Sequence, residues 1–148
     1  MSDAPDMACR EARLDEIIAL RDGVLIAGTD RDSPEFPGDH DSTTHHFGAF
    51  LEGTCIGCAT FLRSEWEGAP AWQLRGMATY PEYRGRGVGG TLLDRALRNL
   101  SATTDIRRFW CNARVTAATF YTDRGWTRAS EEFMIEGVGP HVRLVLTL

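Results

Sequence analysis

No stretch of this chain longer than ten residues is free of Asp, Glu, Lys and Arg. A membrane-crossing helix needs about 20 mostly apolar residues, so no segment can span a bilayer as one. The opening residues, Met1-Ser2-Asp3-Ala4-Pro5-Asp6, lack the basic and apolar regions of a signal peptide, and a cytoplasmic location is expected. Positive charge is not in excess either: a net charge of −5 argues against broad nucleic-acid binding, which needs a basic face. Cysteine is sparse, with 4 in 148 residues, and in a reducing compartment Cys9, Cys55, Cys58 and Cys111 are expected as free thiols. Cys55-x-x-Cys58 resembles half a zinc or redox site, but no second cysteine pair completes it. It lies in Thr54 to Leu62, which reads as a strand, where residues three apart point to opposite faces. Two small buried strand residues are the expected reading, with no metal. Internal repeats, low-complexity tracts and linkers are also lacking.

What remains is ordinary for a globular protein, 43% hydrophobic and 25% charged, and residues 1–148 are expected to form one domain with a real core. Met7 to Glu11 reads as a short strand. Leu14, Ile17, Ile18, Val24 and Leu25 recur at helical spacing, with a break expected near Gly23. Gly28 to Thr44 is polar and punctuated by proline and glycine, and reads as a loop. His46 to Leu51 and Thr54 to Leu62, around Glu52-Gly53, read as a β-hairpin. Arg63 to Pro70 reads as a loop and Ala71 to Thr79 as the next strand. Thr91, Leu92, Leu93, Ala96, Leu97 and Leu100 mark a helix over Gly87 to Ser101. Arg107 to Cys111 follows as a strand and Val115 to Arg124 as a helix, with Gly125 as its left-handed terminator. Trp126 to Ile135 and Val142 to Leu148 read as the final strands. The sum is a mixed α/β sheet flanked by helices.

The junction between the strand ending at Thr79 and the helix at Thr91 carries the chemistry. It reads Arg84-Gly85-Arg86-Gly87-Val88-Gly89-Gly90. A glycine-rich loop at a helix N-terminus presents unpartnered N–H groups and the positive end of the helix dipole, which suits phosphate. Arg84 and Arg86 add donors matched to phosphate oxygens. Gly85, Gly87 and Gly90 also satisfy G-x-G-x-x-G. In a dinucleotide fold, however, the first glycine follows the strand directly, and here Tyr80 to Arg84 intervenes. Asp105, 20 residues beyond Gly85, precedes the next apolar run instead of following it.

Arg84-x-x-Gly87-x-Gly89 is similar to the Q/R-x-x-G-x-G/A signature of the GNAT acetyltransferase superfamily, with Met77 to Pro81 resembling the strand that leads into it. Ala117 to Trp126 resembles a second motif of that family, A-x-x-x-Y-x-x-x-G-F. The resemblance implies a GNAT-like fold whose mixed central sheet splays at the cofactor site. It implies acetyl-CoA as co-substrate, which a net negative chain accommodates because the glycine loop is locally basic. Met77, Ala78 and Thr79 would pair with the pantetheine arm and offer an N–H to the thioester carbonyl. Arg84, Gly85, Arg86, Gly87, Val88, Gly89, Gly90 and Thr91 would hold the pyrophosphate. Tyr121 matches the tyrosine that acts as general acid beside the thiol sulfur. Many members carry Asn seven positions before that tyrosine. Here Arg114 stands in its place, and Asn112 could take over some of its contacts while Arg114 reaches a phosphate or the substrate.

The implied reaction is direct attack of an amine on the thioester. A general base is needed, and a histidine, with its pKa of about 6.5, suits that work. His141 is the first choice over Glu65, Glu67, Glu131 and Glu132. The acceptor is expected to be a small-molecule or peptide amine, with no nucleic acid or membrane as partner. The acidic segment Asp30 to Asp41 with His45-His46 matches no zinc template and reads as a solvated loop. In proteins of this resemblance it shapes the acceptor pocket, and its acidity hints at a cationic amine. The apolar last strand could pair across a homodimer. A non-catalytic sensor of acyl-CoA or a nucleotide is the alternative that shares the same loop.

Overall fold

The computed structural model describes residues 6–29 and 31–148. The features read above at Met1 to Pro5 and at Asp30 lie outside the described residues. The chain runs β1 (Ala8–Ala12), α1 (Leu14–Arg21), β2 (His45–Leu51), β3 (Thr54–Trp66), β4 (Ala69–Thr79), α2 (Val88–Thr103), β5 (Arg108–Arg114), α3 (Ala118–Thr122), β6 (Thr127–Arg128), β7 (Phe133–Ile135) and β8 (Gly139–Thr147). One eight-stranded mixed sheet follows the order β1-β2-β3-β4-β5-β8-β6, with β7 also paired to β8. Every pairing is antiparallel except β4 with β5.

The heptad-like spacing of α2 buries Val88, Leu92, Leu93, Ala96, Leu97 and Leu100 on one sheet face, against Phe47, Phe61, Leu74, Phe109 and Leu144. Phe61 stands edge-on to both Phe47 and Phe109, with ring centroids 5.8 and 6.0 Å apart. Each such burial contributes about 1.5–3 kcal/mol relative to exposure. The opposite face takes α1, through Ile17 and Leu20 against Cys58 and Ala78.

Several elements differ from the sequence reading. Arg63 to Pro70 is not a loop: β3 and β4 continue through it and turn only at Glu67-Gly68, which both take positive φ. The charged residues that suggested a loop lie on the wet end of a long hairpin. The first helix does not break at Gly23 but widens into a π-helical turn, Asp22–Ile26. Trp126 to Ile135 is two short strands, because the chain leaves the sheet around Ser130, whose Oγ accepts the Arg143 amide at 2.8 Å. Gly125 does take the left-handed conformation, φ 90°. β5 flanks one side of the last strand, and β6 and β7 cover the other at Gly139 to His141 and at Leu144 and Val145.

Cys55 and Cys58 do not face opposite ways. A register shift pairs Ala49 with Gly57 and Phe50 with Cys55, which leaves Ile56 as an extra residue and turns both cysteines toward α1. Burial pushes their thiols up, to about 11 and about 12. Among the described residues no cluster of His, Cys, Asp or Glu is arranged to hold a metal ion.

Two irregularities of β4 make the site. Thr60 pairs with Arg75 but Cys58 with Ala78, so Gly76 and Met77 oppose the single Ala59 in a β-bulge. Gly76 sits at φ 62°, and a Cβ there would come within 3.0 Å of the Phe36 ring and 3.1 Å of Arg21 Nε. Just ahead of this bulge, after Leu74, β4 parts from β5. Their parallel pairing covers only Trp72 to Leu74 with Phe109 to Cys111, although β4 continues to Thr79 and β5 to Arg114. Backbone groups on the facing edges of both strands are left without a strand partner there.

Candidate active site

The parted strands open a cavity of about 860 Å3. One end is the glycine loop. Gly85 and Gly87 take φ 77° and 80°, and Gly87 caps α2 with no side-chain cap and no acidic residue in the first turn. The Thr91 amide bonds the Gly87 carbonyl at 3.0 Å, the first turn of the ladder. The N–H groups of Val88, Gly89 and Gly90 precede that turn and have no intrahelical partner. Arg84 folds back so that its Nε donates to the Thr79 carbonyl at 3.2 Å.

The residues named from the sequence converge well. Met77, Ala78, Thr79, Arg84, Gly85, Gly87, Val88, Gly89, Gly90, Asn112, Tyr121 and His141 all line this cavity. Arg86 and Thr91 do not: Arg86 stands 5.9 Å over the Tyr83 ring, and Thr91 has begun the helix. Asn112 accepts from Arg143 Nε at 3.4 Å. Of the five base candidates only His141 reaches the cavity. Glu65 and Glu67 border a separate, smaller hollow with Trp66 and Trp110, and Glu131 and Glu132 are exposed.

Tyr121 is buried, between Trp126 and Phe120, with ring centroids at 5.3 and 5.0 Å. Its hydroxyl donates to the Met77 thioether sulfur at 3.6 Å, and burial raises its pKa well above the usual phenol value, so it keeps its proton. His141 is 5% exposed and lies opposite Arg114 on the neighbouring strand. Its Nδ1 is 2.8 Å from the Gly139 carbonyl. A carbonyl only accepts, so Nδ1 carries the proton and Nε2 keeps a lone pair.

Part of the lining was not legible in the sequence. Arg75, Arg31 and Phe36 line the cavity together with Arg114, which the sequence reading did offer as a phosphate or substrate contact. The chain contains no lysine, so all 16 of its Lys and Arg cations are arginines, and the cavity holds five of them with no Asp or Glu among the described residues. Burial first, and then the Arg31 guanidinium, push the pKa of Arg75 down, the mark of crowded like charge. Three acids of the 30–41 segment, which hinted at a cationic acceptor, are used locally. Asp39 is buried against Arg21, Glu35 pairs with His40, and Asp41 accepts from Thr43.

That local use is a buried network. Arg21 Nη1 meets Asp39 Oδ2 at 2.6 Å and the Pro34 carbonyl at 3.0 Å, and Nη2 donates to Thr60 Oγ1 at 2.7 Å. Asp39 Oδ2 also accepts the Phe36 amide at 2.6 Å. The Thr60 hydroxyl faces His46 Nδ1 at 2.8 Å, and His46 Nε2 donates to the Asp39 carbonyl at 3.0 Å. The loop bearing Arg31 and Phe36 is thereby tied beneath the Gly76 bulge, and the Phe36 ring lies under the guanidiniums of Arg21, Arg31 and Arg75 at 4.3, 5.2 and 5.7 Å.

A family model for the GNAT acetyltransferases matches residues 11–126. The chain belongs to the GNAT acetyltransferase family. It is an acyltransferase, and the family draws its acyl group from a CoA thioester. The chain is 33% identical over 141 residues to the uncharacterised N-acetyltransferase YitI of Bacillus subtilis, covering 91% of this chain and 92% of that one. An acyl-CoA N-acyltransferase of Pseudomonas aeruginosa superposes with a TM-score of 0.76 at 19% identity, over 95% of this chain and 99% of that one. A GNAT acetyltransferase of Elizabethkingia anophelis, solved with acetyl-CoA bound, superposes with a TM-score of 0.71 at 12% identity, over 97% and 99%. These two likenesses bear on the fold. Among the described residues no helix is long and apolar enough to cross a membrane.

Proposed function

We propose that the protein moves the acetyl group of acetyl-CoA to the primary amine of a small molecule that also carries a carboxylate or phosphate, by direct attack. One observation carries this reading. The cavity is lined by a glycine nest and also by Arg31 and Arg75 around the Phe36 ring and by Arg114 across from His141, with no carboxylate in its described lining. Five guanidiniums in one concavity cost free energy through repulsion and desolvation unless anions bind them. The loop from Arg84 to Gly90 accounts for one anion, the CoA diphosphate. The remaining cations call for a second, on the acceptor.

In this reading the unpaired edge of Met77, Ala78 and Thr79 takes the pantetheine arm and gives an N–H to the carbonyl oxygen as it becomes an oxyanion. Asn112 borders the arm from the opposite strand. Arg75 and Arg114 hold the acceptor's anionic group in bidentate fashion and so aim its amine. His141 Nε2 takes a proton from the nitrogen as the N–C bond forms. The C–S bond then breaks, and the Tyr121 hydroxyl donates to the departing sulfur. Amide and free CoA thiol are the products. Within the glycine loop, Arg86 and Thr91 act at most indirectly, through the mouth of the cavity and the first turn of α2.

An acceptor panel tests this, read as released thiol. Amines bearing a carboxylate or phosphate should turn over, and esterifying that group should lower kcat/KM roughly 10- to 100-fold, the range for losing charge-assisted hydrogen bonds. Arg75→Gln should impose a similar loss on the anionic acceptor only. Equal or better turnover of polycationic amines would refute the acceptor assignment. Tyr121→Phe should lower kcat by about 10²-fold while acetyl-CoA affinity stays within about twofold, since a general acid acts only in the transition state. Unchanged turnover would remove its role.

A further inference from the structure

Gly90 directly follows the Arg84-x-x-Gly87-x-Gly89 signature, where missing side chains admit the ligand. The structure gives this glycine a different neighbour. A Cβ built on Gly90 would fall 2.2 Å from Arg124 Nη2, 2.9 Å from its Cζ and 3.1 Å from its Nε. Gly90 is buried because this guanidinium lies on it. Arg124 comes from the end of α3, three residues past Tyr121, and lines the cavity. It is held in place by its own helix: Nη1 donates to the Phe120 carbonyl at 3.1 Å, and Cζ stands 4.2 Å over the Phe120 ring. Phe120 in turn packs beside Gly89, 3.6 Å from where a Cβ would be.

The placement sets a cation beside the cationic end of a helix. The third residue of a 16-residue helix lies at the positive end of its dipole, and no acidic side chain occupies that first turn. Arg84 shares the same mouth, and among the described residues Arg124 pairs with no carboxylate. The Arg124 side chain is exposed to water, and Nη2 and Nε stand beside the unpaired amides of the helix end, where one anion would meet both the fork and the main chain.

We infer that Arg124 is a phosphate ligand of the CoA donor, and that position 90 is glycine to seat this guanidinium. The inference rests on the acyl-CoA reading given under Proposed function. It adds a side-chain fork from α3 to the main-chain nest of the loop. It also links the donor's phosphates to the helix that carries Tyr121, so that donor binding fixes α3 at both ends of the thioester arm.

Calorimetric titration of acetyl-CoA and of acetyl-dephospho-CoA tests it. Arg124→Gln should weaken acetyl-CoA roughly tenfold or more, and Arg124→Lys much less. An equal loss with both donors assigns Arg124 to the diphosphate, and a loss with acetyl-CoA alone assigns it to the 3′-phosphate. Affinity within about twofold of the parent for both donors would overturn the inference. Gly90→Ala supplies the second arm. Gly90 has no positive φ, and alanine favours a helix by about 1 kcal/mol over glycine, so the variant should fold at least as well as the parent. It should nonetheless lose CoA affinity by displacing Arg124, and add little to the loss in an Arg124→Gln background. Independent, additive losses would show that residue 90 meets the ligand itself and would overturn the second clause. Failure of the parent to bind acetyl-CoA at all would instead strike the acyl-CoA reading.

Discussion

Replacing His141 with glutamine should lower kcat for acetyl transfer by about 10²- to 10⁴-fold, the usual contribution of a positioned general base. The imidazole is anchored through Nδ1 to the Gly139 carbonyl, lies across from Arg114 and borders the cavity. That leaves Nε2 as the acceptor for the amine proton. Acetyl-CoA affinity should stay near that of the parent, because nothing in the glycine loop touches position 141. The ring also packs 6.1 Å from Phe133, so a modest fall in thermal stability is expected from packing alone. A fall in kcat of that size with acetyl-CoA affinity intact cannot come from packing. Full activity in the variant would return the proton to water or to another group.

The second large effect concerns stability. Asp39→Ala should destabilise the fold by about 3–5 kcal/mol, the cost of leaving a buried charge without its partner. For a chain of this size that is roughly 6–20 °C in Tm by calorimetry. The side chains of Arg21 and Asp39 are both 0% exposed, and Arg21 would keep only the Pro34 carbonyl and Thr60 hydroxyl. The double variant Arg21→Met with Asp39→Ala should recover part of the loss, because no charge is then stranded. A Tm change below about 2 °C for Asp39→Ala would mean the pair is open to water. The same network carries a pH dependence. Burial lowers the pKa of His46 below its ordinary value of 6.5. Its neutral form is the one folded in, so this contribution is fully present above about pH 6.5 and lost as pH falls through the lowered value. Because Asp39 also holds the Phe36 amide, its loss should raise the acceptor KM along with lowering Tm.

Much of the site was legible in the chain. The run from Arg84 to Gly90 names its own chemistry, since few functions need four glycines and two arginines between a strand and a helix. The periodicity from Thr91 to Leu100 set α2 within two residues of its ends. Tyr121 and His141 are both legible in the sequence, and both line the same cavity as the loop. The acceptor end was not legible. Arg75 sits in an apolar strand, and only the bulge at Gly76 and the separation of β4 from β5 turn it toward the cavity. The acids of the 30–41 segment looked like a cationic-substrate site because composition carries no information on which carboxylate is buried. The pairing of Arg21 with Asp39 spans 18 residues, and that of Arg21 with Thr60 spans 39.

Local order alone determined the anion nest, because a glycine-rich turn and the helix behind it are short-range structures whose unpaired amides follow from the backbone. The chain also determined, through its periodicities, which faces are apolar and hence a mixed sheet with α2 packed on it. Only the tertiary structure decided where charge gathers. Guanidiniums from positions 31, 75, 84, 114 and 124 meet in one cavity because two parallel strands diverge, and divergence depends on long-range pairing that no local pattern encodes. Likewise, the reason for a glycine at position 90 became visible only once α3 had laid Arg124 upon it.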